Sequence, residues 1–220
     1  MGVIIINFKA YEEGSGKRGY ELAKITEEIA GKVDDYLAIA PPILDLPLFA
    51  DSLSIDVFAQ HVDAINYGSN TGRITAEMLK EKKAKGSLIN HSERRLRLAD
   101  IDFLVSRFRE LELVSVVCTN NIPTTAAAAA LNPEFVAVEP PELIGSGIPV
   151  SKSEPEIVEN SVKSAKDVNM DVRVLCGAGI IKHEDYVTAL DLGAEGVLLA
   201  SGVVKAKDPK AALEELVGLR

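Results

Sequence analysis

The sequence predicts a single closed (β/α)8 barrel over residues 1–220, and three observations predict it. Short β-rich apolar runs recur eight times, each followed by an amphipathic segment or a helical turn. These runs are predominantly apolar on both parities, as parallel strands covered on both faces should be. No linker, low-complexity tract or charge block marks a second domain. Parallel strand–helix units fit a closed barrel or a doubly wound sheet, and a count of eight favours the barrel. The 220 residues stand at the short end of the range for such barrels.

The expected strands are 3–6, 37–40, 57–59, 87–89, 113–118, 135–138, 172–175 and 196–199. Three segments between them carry helical spacing. Residues 20–33 place Leu22, Ile25, Ile29 and Val33 on one face, and residues 155–168 do the same with Ile157, Val158, Val162 and Ala165. Residues 101–111 form the third, with charged side chains on the far side. The five-alanine run 126–130 is a helix signal whose small side chains allow close packing.

Composition narrows the function. With 24 basic and 33 acidic residues the net charge is −9, and no basic stripe interleaves with aromatics. That argues against nucleic acid as a partner. An acidic protein still binds an anionic substrate when helix N-termini and a lysine are aimed at it. The two cysteines, Cys118 and Cys176, fall inside apolar runs and outside any Cys-x-x-Cys motif. They read as free buried thiols in a reducing, cytoplasmic compartment, with neither a disulfide nor a zinc site expected. The segment Met1–Ile6 lacks a basic leader, and no apolar run approaches the ~18 residues of a membrane span. No metal, cofactor or membrane partner is expected.

The chemistry-bearing residues share one address. Asn7 and Lys9 follow the first strand, His91 the fourth, Glu139 ends the sixth, Gly177-Ala178-Gly179 follows the seventh, and Ala200-Ser201-Gly202 the eighth. In a parallel barrel all of these lie at the C-terminal rim, where active sites are built. Glu139 precedes two prolines that stiffen the start of its loop, which makes it a candidate general base or a solvated strand-end carboxylate. The segment 142–150 has glycines inside and a proline near its end, and reads as a water-excluding lid or a plain surface loop. His91 precedes Ser92-Glu93-Arg94-Arg95. A helix starting near Ser92 would direct its N-terminal dipole at the imidazole and keep the ring neutral. Lys9 is a point charge suited to an oxyanion or phosphate, with Asn7 as a neighbouring donor. The small residues after strands seven and eight expose amides that can cradle a phosphate. His61 and His183 are assigned no role.

These segments together resemble the triosephosphate isomerase family, particularly its shorter archaeal form, nearly end to end. The motifs that carry the resemblance are Asn7-x-Lys9, Gln60-His61-Val62 followed by Thr71-Gly72, His91-Ser92-Glu93-Arg94-Arg95, and the run from Glu139 to Gly147. The resemblance implies a TIM barrel that interconverts dihydroxyacetone phosphate and D-glyceraldehyde 3-phosphate through an enediolate, in glycolysis and gluconeogenesis. It implies that Glu139 is the base, His91 the electrophile and Lys9 the stabiliser of developing charge, with Asn7 beside it and Glu93 as a supporting carboxylate. It places the phosphate near Ile144-Gly145, Gly179 and Ala200-Ser201. It also implies self-association through the loop after the third strand, as a homotetramer or alternatively a homodimer. The loop Leu199-Ala200-Ser201-Gly202 departs from the paired glycines of longer relatives. Alternative readings are another phosphate-metabolising barrel enzyme, which would not need His91 and Glu139 together, and a non-catalytic phosphate sensor, which would gain nothing from a base beneath a lid.

Overall fold

Eight parallel strands hydrogen-bond in sequence order and close on themselves. A computed structural model describes residues 2–140, 155–177 and 179–219. The strands are β1 (Val3–Asn7), β2 (Tyr36–Ala40), β3 (Asp56–Ala59), β4 (Gly86–Ile89), β5 (Val114–Thr119), β6 (Phe135–Val138), β7 (Arg173–Cys176) and β8 (Gly196–Leu199). Pairing of β1 with β8, from Val3 opposite Gly196 to Ile6 opposite Leu199, shuts the barrel. Every expected strand is present, six of the eight with bounds displaced by a residue at one or both ends.

The helices of the outer ring are α1 (Gly16–Ala30), α2 (Leu46–Ser52), α3 (Ala76–Glu81), α4 (Leu98–Glu110), α5 (Ile122–Ala129), α6 (Pro155–Val168), α7 (His183–Asp191), α8 (Ser201–Val204) and α9 (Pro209–Leu216). Helix α6 occupies the expected residues. Helix α1 is displaced toward the N-terminus: Gly31 caps it, so Val33 lies beyond its end. In α5, the Asn121 side chain accepts from the amide of Thr124, and this cap starts the helix ahead of the alanine run. Its buried Ala128 and Ala129 allow close packing on α6.

The period-two alternation of the strands sorts their side chains into two cores. One cluster joins Ile4, Ile6, Ile39, Val117, Val136 and Val174 to helix residues such as Leu22, Phe49, Leu104 and Phe108. The other contains strand residues and no helix residues, among them Val3, Ile5, Ala38, Phe58, Val116, Cys118, Phe135, Ala137, Leu175 and Leu198, and it fills the barrel interior. The inward parity of Ile5, Ala137, Leu175 and Leu198, carried one step further along each strand, falls on Asn7, Glu139, Gly177 and Ala200. The same register that packs the core therefore brings these four to the top of the barrel. No helix among the described residues is long and apolar enough to cross a membrane.

Candidate active site

Asn7, Lys9, His91, Glu139, Gly177, Gly179, Ala200 and Ser201 line one pocket at the C-terminal rim. Thus every predicted site residue among the described ones converges there. Ile144 and Gly145, the rest of segment 142–150, and Ala178 lie outside the described residues.

Of the charged residues that line the pocket, Glu139 is the more enclosed, at 3% exposed. Its amide donates to Thr119 O of the neighbouring strand at 2.7 Å, which holds the backbone at the mouth of β6. Its Oε1 lies 3.3 Å from Nε2 of His91. Its Oε2 is buried with no hydrogen-bond partner among the described residues. Such an atom is costly to leave bare and marks a place where a ligand group would be welcome. The Cys118 thiol stands beside this carboxylate, and burial together with the Glu139 charge pushes the thiol well above its usual range, so it stays protonated.

His91 is positioned by a turn and not by a helix, which corrects the expected helix start near Ser92. The amide of Arg94 bonds back to His91 O at 2.8 Å, and α4 begins only at Leu98. Asn90 is the reason. It adopts a left-handed φ of 63°, and its side chain is engaged with Cys118 O (2.9 Å) and the amide of Leu96 (2.8 Å). A different device fixes the ring. The amide of Glu93 donates to Nδ1 at 3.2 Å. A nitrogen that accepts a hydrogen bond carries no proton, so the imidazole is the tautomer protonated at Nε2, and that N–H faces Glu139.

Lys9 has a left-handed φ of 49°, a conformation that a residue with a Cβ adopts at some cost. Two bonds hold it. Its amide donates to Asn7 Oδ1 at 2.9 Å, and its carbonyl accepts from Gln60 Nε2 at 3.0 Å. Gln60 also donates to Ala40 O at 2.9 Å, tying the first three strand ends together. The ammonium pairs with Glu93 Oε1 at 2.8 Å. Glu93 thus touches both partners of the site, the lysine through its side chain and the histidine through its backbone. His61 lies off the site and bonds to Asp63 at 3.2 Å.

In the same pocket, Gly179 takes a φ of 74°, which only glycine adopts without strain. Ala200 and Ser201 open α8, whose first N–H groups have no acceptor within the helix. With Lys9 on the neighbouring strand end of the same pocket, these amides suit an anion.

The chain matches the triosephosphate isomerase family over residues 2–217. It belongs to that family. It is 75% identical over 219 residues to the triosephosphate isomerase of Archaeoglobus fulgidus, covering 100% of this chain and 98% of that one. Its identity to the triosephosphate isomerase of Methanocaldococcus jannaschii is 54% over 215 residues, covering 98% of both chains. The Methanothermus fervidus triosephosphate isomerase is 55% identical over 215 residues, covering 98% of this chain and 97% of that one.

Sequence reasoning missed the parts that two residues play in this triosephosphate isomerase site. Gln60 was legible only as part of a loop motif, because a bond reaching 51 residues back to a backbone carbonyl leaves no local signature. Gly177 reads as part of an amide cradle for phosphate, yet its missing side chain is also what admits the Glu139 carboxylate. A Cβ there would lie 2.3 Å from Glu139 Cγ. Gly177→Ala should therefore displace the carboxylate and lower kcat by about 100-fold, since misplacing a reacting group by ~1 Å costs that much. Steady-state kinetics on a variant with a native circular-dichroism spectrum checks this.

Proposed function

We propose that the rim of this barrel interconverts dihydroxyacetone phosphate and D-glyceraldehyde 3-phosphate with Glu139 as the base. The observation that carries the proposal is the 3.3 Å approach of Glu139 Oε1 to the protonated nitrogen of His91, inside one pocket with Lys9. The carboxylate takes a proton from one carbon of the substrate and returns it to the adjacent carbon. Between the two steps the carbonyl oxygen becomes an enediolate oxygen. The Nε2–H of His91 donates to that oxygen, and the proton passes between the two oxygens as the double bond moves. A neutral imidazole suits this exchange, because its N–H is a weak acid closer in strength to the enediol than an imidazolium N–H is. Lys9 offsets the developing negative charge from the lining of the same pocket. Asn7 keeps the lysine backbone in its unusual conformation, and Glu93 keeps the ammonium from swinging to solvent. The phosphate sits against Gly179, Ala200 and Ser201, which fixes which end of the triose faces Glu139. The reaction serves glycolysis and gluconeogenesis, and the enzyme works in the cytoplasm, in keeping with its two buried cysteines, neither of them in a disulfide.

We infer further that the chain assembles as a homotetramer, with a homodimer as the alternative. Support comes from apolar side chains left outside the core around the loops after β2 and β3. Leu44 is 91% exposed, and Leu48 and Tyr67 are also uncovered. Multi-angle light scattering should give four times the 23.6 kDa chain mass, and a mass of one chain would overturn self-association.

Glu139→Gln keeps the shape of the base and removes its basicity. In an assay coupling dihydroxyacetone phosphate to its reduction, kcat should fall by at least about 1000-fold while substrate still binds. A variant retaining wild-type turnover would remove Glu139 from this role.

A further inference from the structure

We infer that Asp185 is a positioning residue for the phosphate end of the site, acting through one peptide unit of the loop after β7. The inference rests on the reading that phosphate binds against Gly179, Ala200 and Ser201. Asp185 is the third residue of α7 and is 3% exposed. A carboxylate at that helix position ordinarily reaches back to the capping amide alone. Here Oδ2 accepts from that amide, Lys182, at 2.9 Å and from Ile181 at 3.1 Å, one residue deeper into the loop. The second bond is not needed to start the helix. It belongs to the pocket, because Ile180 and Ile181 both line it next to Gly179.

The N–H of Ile181 and the carbonyl of Ile180 are two ends of one planar unit. Asp185 holds the first end. The second end faces Gly202 in the first turn of α8, where a Cβ would lie 2.9 Å from Ile180 O and 3.4 Å from Ile181 Cα. The plane is thus fixed from both sides, and with it the backbone that leads from Gly179 toward α7. Gly202 immediately follows Ser201, so the same contact sets the spacing between the two loops that face the anion. Without the carboxylate the plane is free to turn about the chain, and the amides on either side turn with it. A carboxylate is suited to this task because one oxygen accepts two charge-assisted bonds.

The experiment compares wild type with Asp185→Ala and Asp185→Asn in three assays. These are turnover of glyceraldehyde 3-phosphate, turnover of unphosphorylated D-glyceraldehyde, and competitive inhibition by inorganic phosphate. In Asp185→Ala, KM for the triose phosphate and the inhibition constant for phosphate should rise together, by about tenfold. The ratio of kcat/KM for the phosphorylated over the unphosphorylated substrate should fall by a similar factor. Asparagine keeps an acceptor oxygen without the charge, so Asp185→Asn should weaken phosphate by only about threefold. Equal loss on both substrates would show a general structural role and overturn the inference. So would a wild-type inhibition constant in either folded variant, and the asparagine variant carries that test if the alanine variant does not fold. Failure of inorganic phosphate to inhibit the wild-type enzyme would overturn the phosphate reading itself, and the role of Asp185 with it.

Discussion

The amide of Glu93 donates to Nδ1 of His91, and that bond leaves Nε2 as the only nitrogen of the ring able to carry its proton. The direction of the site follows from it. With the proton on Nε2, the ring offers a donor to the space in front of Glu139, where a carbonyl oxygen would lie. With the proton on Nδ1, the same ring would offer a lone pair to a buried carboxylate, and the two groups would repel. A helix dipole would also have kept the ring neutral, but it acts through space and does not choose between the two nitrogens. A single amide at 3.2 Å does.

The barrel makes that bond useful. Closure between β1 and β8 forces the ends of all eight strands onto one rim. The inward parity that packs Ile5, Ala137, Leu175 and Leu198 then delivers Asn7, Glu139, Gly177 and Ala200 without any further design. Three of the described loops add a local device that converts position into orientation. A left-handed Asn90 turns the chain toward His91, Gln60 pins Lys9, and Asp185 pins Ile181. Several of these devices place a backbone amide or carbonyl under the control of a side chain from elsewhere in the fold. Such contacts need few residues and tolerate little displacement. The rim of this chain thus has its backbone held by side chains from elsewhere in the fold.

Much of this is legible in the amino-acid sequence. The eight apolar runs announce themselves because buried parallel strands need apolar residues on both faces, and the spacing of α6 marks its limits to the residue. His91, Glu139 and Lys9 stand out because they carry chemistry at strand ends. What escapes is governed by contacts distant in sequence or by conformations that residue type does not dictate. Ser92-Glu93-Arg94 has the composition of a helix start, yet the left-handed φ at Asn90 and the bond from Arg94 to His91 O make it a turn. The limits of α1 and α5 differ from the apolar spacing because Gly31 and Asn121 cap them, and capping overrides that spacing at helix ends. Gly177 conceals its role because a glycine's function here is the absence of an atom beside Glu139.

The most direct test is the protonation pattern of the His91 ring, read by nitrogen-15 NMR of histidine-labelled enzyme at about neutral pH. With three histidines in the chain, a His91→Gln sample assigns the resonances. The predicted result is a neutral ring with its proton on Nε2 and an unprotonated, hydrogen-bonded Nδ1. A proton on Nδ1, or an imidazolium carrying both, would contradict this mechanism, because the group facing Glu139 would then be the wrong partner for an enediolate oxygen.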